Sequence, residues 1–163
     1  MTGTATARAP ETEARLEGPP PRIMVVEARF YPELADEMAA GALAVLKAAG
    51  AVSQWFRVPG ALELPAAIAA ARLRQPDRFD GFVALGCVIR GGTDHYEHVC
   101  RESMHGLTGL AARHGLALGN GLLTVAHLEQ AWSRARRGEG DKGGDAARAC
   151  LRLIALHRAL DRM

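Results

Sequence analysis

The chain has 163 residues, and its 20 Lys and Arg nearly balance its 18 Asp and Glu, for a net charge of +2. This balance argues against a dedicated nucleic-acid surface, and no apolar run approaches the roughly 18 residues needed to span a bilayer. The first residues lack the apolar core of a secretory signal, and the three cysteines lack metal-ligand spacing. We therefore expect a cytoplasmic protein with reduced thiols.

Residues 1–21, rich in Thr, Ala, Glu and Pro, are predicted to form a flexible tail, and residues 22–163 a single domain. Four short apolar segments predict strands, and the segments between them have helical spacing. The predicted strands are residues 22–28, 51–58, 81–89 and 116–125. The predicted helices are residues 31–50, 66–74, a segment ending near 114, 126–136 and 145–160, with a loop over 137–144.

Strand and helix alternate four times along the chain, which is typical of a parallel sheet with crossover helices. Right-handed crossovers predict an α/β fold, a flavodoxin-like three-layer sandwich whose four-stranded parallel sheet is flanked by helices on both faces. Ligands of such folds bind at the carboxyl ends of the strands. The loops after the first three strands, which contain Phe30, Glu63 and Gly92, should therefore lie at one edge.

The sequence VIRGGTDHYEHV, residues 88–99, joins the third strand to its helix. Gly91 and Gly92 allow a ligand to approach the backbone closely, and Thr93 or Asp94 is a plausible N-cap. Free N–H groups at a helix start favour an anion such as phosphate. The alternative is an ordinary strand-to-helix turn.

His95 falls in the first turn of that helix, where an imidazole could accept and donate protons at neutral pH. It could equally be one of the surface histidines that most proteins carry. His95 and His98 have the spacing of a metal pair, but no third ligand accompanies them, so a metal site is not expected.

Three further features each allow two interpretations. Phe30 is either a stacking face for a planar ring or a core anchor under the first helix. Glu63 is either a hydrogen-bond acceptor for a ligand or a charge favoured by a helix N-terminus. The basic cluster at the end of the fourth helix is either a phosphate partner or a solvated helix end; it consists of Arg134, Arg136 and Arg137, with Lys142 beyond.

Taken together, several stretches resemble the lumazine synthase family. ARFY, VPGALELP, ALGCVIRGGTDHYEHV, NGLLT with EQAW, and DKGGDAA occur in the family's order and spacing, over about residues 22–160. The chain departs from the family at Asn120, where many members have an aromatic residue. It also departs in the loop RARRGEGDKGG, so Arg136 remains an alternative to Arg134 as a phosphate ligand.

The resemblance implies a transferase of riboflavin biosynthesis that acts without metal or organic cofactor. Its substrates would be 5-amino-6-(D-ribitylamino)uracil and 3,4-dihydroxy-2-butanone 4-phosphate, which condense with release of phosphate and water. The implied course is imine formation, phosphate elimination, ring closure and dehydration, each of which needs proton transfer.

The resemblance also implies a role for individual residues. His95 would shuttle protons, and Arg134 would bind the phosphate of an adjacent subunit's site. The residues implied for the pyrimidine and ribityl groups are Phe30, Ala61, Leu62, Glu63, Cys87, Val88, Ile89 and Asn120. Those implied for the phosphate substrate are Gly92, Thr93, Arg134 and Lys142.

The family builds its sites between neighbouring subunits, so the resemblance implies a homo-oligomer. The altered loop favours a free pentamer over a larger shell, and riboflavin synthase is an implied partner. The alternative within the family is a non-catalytic homologue that binds a flavin-pathway ligand or forms a shell. An unrelated phosphate-binding enzyme of flavodoxin-like fold would not explain VPGALE or Phe30. A flavodoxin-type electron carrier is least favoured, because the loop EARFYPE lacks the Ser, Thr and Gly residues that typically bind the phosphate of FMN.

Overall fold

A computed structural model describes residues 16–163, so residues 1–15 of the predicted tail lie outside the described part. Strands and helices alternate in the predicted order. The strands are β1 (Arg22–Ala28), β2 (Val52–Val58), β3 (Gly81–Ile89) and β4 (Leu118–Val125). The helices are α1 (Pro32–Ala48), α2 (Glu63–Arg74), α3 (His95–His114), α4 (Leu128–Ala135) and α5 (Lys142–Asp161).

The four strands form one parallel sheet in the order β2-β1-β3-β4. Helices α1, α4 and α5 pack on one face, around a core that includes Met38, Ala131 and Cys150. Helices α2 and α3 cover the other face, where Ile68 and Leu107 are fully buried. The predicted flavodoxin-like three-layer sandwich is confirmed.

Two glycines end helices where the sequence predicts. Gly50 and Gly115 follow α1 and α3 with φ of +70° and +58°, in the left-handed region that side-chain-bearing residues rarely adopt. Strands β1 and β3 have the predicted bounds because their apolar runs are buried on both faces of a central strand.

Two helices begin three residues earlier than the sequence predicts. Helix α2 starts at Glu63 and includes Pro65, which is tolerated because the N–H groups of a first helical turn need no intrahelical partner. Helix α5 starts at Lys142, despite two glycines of low helix propensity. The Asp141 carboxylate accepts from the Gly144 N–H at 3.2 Å, and a Cβ at Gly143 would collide with the Met38 backbone. Tertiary packing of α5 on α1 therefore sets this start.

Residues 16–21 contact the domain ahead of β1. The Arg158 guanidinium donates to the carbonyls of Glu17 and Pro19 at 2.6 and 2.8 Å, and Leu16 packs on the core beneath α1 and α5. Within residues 16–163, no helix has both the length and the apolar character that crossing a membrane requires.

Candidate active site

A cavity of about 390 Å³ lies at the carboxyl edge of the sheet. Strand β1 is flanked by β2 on one side and β3 on the other, so the chain reverses its direction of progress across the sheet there. Open α/β sheets bind ligands at this point. The lining residues come from the loops after β1, β2 and β3, from the end of β3 and from the first turns of α2 and α3: Phe30, Tyr31, Pro59, Gly60, Ala61, Leu62, Glu63, Cys87, Val88, Ile89, Gly91, Thr93, His95, Tyr96 and Val99.

Phe30 is exposed to 71% at the mouth of this cavity, although it is a large apolar side chain. Its ring meets only the edge of Tyr31 among the aromatic rings of the described chain, with centroids 5.0 Å apart. The core-anchor interpretation of Phe30 is therefore excluded. An exposed ring at a cavity edge can stack on a planar ligand.

The end of β3 presents unpaired backbone groups to the cavity. Pairing with β1 extends to Leu85, whereas pairing with β4 continues to Ile89. The N–H groups of Phe82 and Arg90 bond to carbonyls on the β4 side. Because backbone groups alternate in direction along a strand, those of Cys87 and Ile89 face the opposite side, beyond the end of the β1 ladder. They can pair with the polar edge of a ligand.

The loop between β2 and α2 is held by its own carboxylate. Glu63 is the first residue of α2, and one of its oxygens accepts from the Gly60 N–H at 2.9 Å. This bond closes the Gly60–Glu63 turn against the cavity. Glu63 is exposed, so its carboxylate both lies at a helix N-terminus and is accessible to a ligand.

The Gly91–Gly92 backbone borders open space. A Cβ built on either glycine would meet no atom within 4 Å, and neither has positive φ. Packing within the described chain therefore does not require glycine here. Gly91 and Thr93 line the cavity next to the start of α3, while Gly92 lies between them without lining it. The open space beside these residues suits an anion at the helix start.

His95 lines the cavity, and its neighbours leave the imidazole accessible. Its N–H approaches the Thr93 hydroxyl at 3.4 Å, so Thr93 contributes to capping α3. Asp94 occupies the N-cap position without a cap bond, and its carboxylate lies 3.5 Å from the His98 ring. The other ring nitrogen of His98 contacts Arg101 at 2.9 Å. His98 is thus engaged on its own helix.

Burial keeps the thiol of Cys87, which lines the cavity, in its protonated form. Desolvation raises the pKa of Cys87 to about 12, with a smaller contribution from Cys100, so the thiol is neutral near pH 7. Desolvation also raises the pKa of Tyr96, whose ring is covered on one face by the Arg90 guanidinium at 4.6 Å. Neither group is a nucleophile at neutral pH.

Comparison of the sequence with known proteins shows the family to which the chain belongs. The family model for 6,7-dimethyl-8-ribityllumazine synthase matches residues 20–158. The chain belongs to this family. The 6,7-dimethyl-8-ribityllumazine synthase 1 of Rhizobium meliloti is 57% identical over 145 residues, covering 86% of this chain and 94% of the relative. The enzyme of Bartonella bacilliformis is 51% identical, covering 85% and 91%, and that of Afipia carboxidovorans 46% identical, covering 96% and 98%.

Besides Gly92, three residues that the lumazine synthase resemblance assigns to the site do not line the cavity of their own chain. Asn120 lies opposite Ala84 in β4, about 16 Å below the strand ends, and its amide contacts the Leu122 N–H and the Met104 sulfur. Arg134 lies at the end of α4 and donates to the Gln130 carbonyl at 3.2 Å.

Lys142, the third of these, begins α5 and pairs with Asp145 at 3.2 Å.

The cavity also contains residues that the sequence prediction missed. Tyr96 and Val99 line it from α3, and Tyr31, Pro59 and Gly60 line it from the preceding loops. The spacing of Tyr96, Val99 and the buried Ser103 marks the inward face of α3, so helical periodicity could have identified Tyr96.

Within residues 16–163, no group of three or more His, Cys, Asp or Glu side chains could hold a metal ion.

Proposed function

We propose that this protein is a 6,7-dimethyl-8-ribityllumazine synthase. It condenses 5-amino-6-(D-ribitylamino)uracil with 3,4-dihydroxy-2-butanone 4-phosphate, in the penultimate step of riboflavin biosynthesis. The observation that carries the proposal is the single cavity that joins an exposed ring, unpaired strand backbone, an open glycine loop and an accessible imidazole. Its volume of about 390 Å³ lies in the range typical of small-molecule sites.

The pyrimidine substrate binds between Phe30 and the end of β3. Phe30 stacks on the heterocycle, and the backbone groups of Cys87 and Ile89 pair with its polar edge. Val88 contributes apolar contact, since its backbone faces β4. Ala61, Leu62 and Glu63 line the ribityl chain, with the Glu63 oxygen that does not hold Gly60 available for a hydroxyl. The support is that all of these residues line one cavity.

The phosphate substrate binds at the Gly92–Thr93 loop, and His95 transfers protons between the two substrates. An anion at this helix start is favoured by free N–H groups and by the helix dipole. Imine formation, phosphate elimination, ring closure and dehydration each move a proton, for which a positioned imidazole typically contributes about 10²–10⁴-fold. Holding both substrates in one cavity contributes further.

Arg134 is the better candidate for the phosphate-binding arginine. Arg136 pairs with Glu139 at 3.2 Å and lies over the Trp132 ring, and Arg137 pairs with Glu37 at 3.8 Å. Among the described residues, Arg134 has no carboxylate partner. Its guanidinium, held within residues 16–163 only by the Gln130 carbonyl, therefore keeps further N–H groups with which to bind a phosphate in a bidentate way.

The site is completed by an adjacent subunit of a homo-oligomer, for which we propose a pentamer. Arg134, Lys142 and Asn120 lie outside the cavity of their own chain and have exposed side chains, so they are available to a neighbour. We propose a cytoplasmic location, supported by three free cysteines, and riboflavin synthase as the enzyme that receives the product.

The decisive experiment mixes the purified protein with both substrates and follows the lumazine chromophore and the released phosphate. We expect acceleration over the uncatalysed condensation. Arg134→Ala should raise the KM of the phosphate substrate, and the matched variant Arg136→Ala should not. No acceleration by the wild type would support a non-catalytic homologue instead, and a larger effect of Arg136→Ala would transfer the phosphate role to Arg136.

A further inference from the structure

Arg29 precedes Phe30 and links three parts of the structure. Its guanidinium donates to Glu27 at the end of β1 at 3.0 Å, and to Asp36 on α1 at 2.7 Å. The same group approaches the Pro32 carbonyl at 3.5 Å. The Arg29 N–H donates to the Val58 carbonyl at 3.2 Å, which ties the segment to the end of β2. The backbone on either side of Phe30 is therefore held by one residue.

Glu27 explains why an arginine is required at this place. It is 4% exposed at the end of a core strand, where an unpaired carboxylate would be costly. Arg57 approaches its second oxygen at only 3.9 Å, from a side chain that is 74% exposed. The Arg29 side chain is 21% exposed and makes the closer contact. Arg29 is thus the main counterion of Glu27, and the planar guanidinium can bind Asp36 at the same time.

Phe30 is not held by its own packing. The ring is 71% exposed and touches the edge of Tyr31, so apolar burial contributes little to its orientation. The position of the ring must come from the backbone that carries it. That backbone runs from the end of β1 to the first turn of α1, the same two elements that the Arg29 side chain bridges.

We propose that Arg29 is a positioning residue: by bridging Glu27 and Asp36, it fixes the Phe30 backbone so that the ring is oriented to stack on the pyrimidine substrate. This inference rests on the proposed function. Arg29 does not line the cavity, so it acts through Phe30 rather than on a substrate. Its loss should weaken binding of the pyrimidine more than it slows the chemical steps.

The first test uses Asp36→Asn, because Asp36 is 69% exposed and its substitution should leave the fold intact. We expect the KM of the pyrimidine substrate to rise about fivefold, since the charge-assisted hydrogen bond from Arg29 becomes a weaker bond to a neutral amide oxygen, while kcat stays within about twofold. Glu33→Gln is the matched control: it removes the same charge from the same helix, and Glu33 has no bond to Arg29. An equal rise in both variants would overturn the inference.

The second test combines Arg29→Lys with Phe30→Ala. A lysine keeps a positive charge beside Glu27 but cannot bridge to Asp36, so Arg29→Lys should raise the same KM about tenfold. In the Phe30→Ala background, Arg29→Lys should add nothing, because the group through which it acts is gone. Additive effects, or a fall in kcat with unchanged KM, would overturn the inference. An inactive wild type would instead contradict the proposed function.

Discussion

Among the six histidines of the chain, all of which are described, His95 alone lines the cavity. Its main chain is anchored by the start of α3 and by Thr93, whereas its imidazole has no hydrogen-bond partner among residues 16–163. A ring placed in this way can turn toward either substrate during a multistep condensation. His98, three residues along, is engaged by Asp94 and Arg101 and lacks this freedom.

We expect His95→Ala to lower kcat by about 10²–10⁴-fold while leaving both KM values little changed, because proton transfer is lost but the two substrates are still held together. Steady-state kinetics of lumazine formation measure both quantities. His114→Ala, at the opposite end of the same helix, is the control and should behave as the wild type. A large rise in KM with unchanged kcat would assign His95 to binding rather than to proton transfer.

At the scale of elements, α5 packs on the sheet through residues of small size. A Cβ at Gly119 of β4 would collide with the Ala146 carbonyl, so glycine allows the helix to lie close to the strand. Cys150 lies in this interface, fully buried, and its thiol donates to the Ala117 carbonyl at 3.3 Å. Burial raises the pKa of Cys150 to about 12 from an ordinary value of 9.0.

This pKa shift predicts a loss of stability in alkali. Above pH 9 the unfolded chain releases the Cys150 proton and the folded chain retains it up to about pH 12, so the free energy of unfolding falls between these values. By pH 10.5 the fall due to this thiol should be on the order of 1–2 kcal/mol. Denaturant unfolding of the wild type and of Cys150→Ala at pH 7 and 10.5 measures it.

Cys150→Ala should be less stable than the wild type at pH 7, because it leaves a small cavity, but should lose less stability on going to pH 10.5. The Cys87 thiol remains in both proteins and cancels in the comparison. Parallel losses in the two proteins would contradict the prediction.

At the scale of the whole molecule, the candidate site is divided. His95 and the residues proposed to bind the pyrimidine line the cavity of one chain, whereas Arg134, Lys142 and Asn120 lie away from it. A closed ring of identical subunits would bring one chain's α4 end to the next chain's cavity through a head-to-tail interface. We therefore expect light scattering to give a particle of five copies of the 17.4 kDa chain.

Mixed assemblies test this division directly. Co-expression of His95→Ala and Arg134→Ala chains should restore activity, because about one interface in four of a randomly mixed ring carries both intact residues. Tandem affinity tags isolate the mixed particles, whose kcat and KM are then compared with those of each parent. Co-assembly of two chains that both lack His95 is the control. Activity no higher than the mean of the parents would show that each site belongs to one chain.

Local patterns in the sequence determined much of the fold. Strands β1 and β3 have the predicted bounds because each is centred on an apolar run, and Gly50 and Gly115 mark helix ends that need positive φ. Nine of the predicted site residues, from Phe30 to His95, line the cavity. They follow parallel strands, and the carboxyl ends of parallel strands meet at one edge.

Only the tertiary structure decided features that depend on distant parts of the chain. The early start of α5 requires contact between Gly143 and Met38, and the exposure of Phe30 requires that no helix covers it. Which arginine is available to bind a phosphate depends on carboxylates from elsewhere in the chain. Arg137, for example, pairs with Glu37, which lies 100 residues before it. The periodicity of a sequence determines local secondary structure. Whether a charged side chain has an ion-pair partner depends on residues far away in the chain that the fold places next to it.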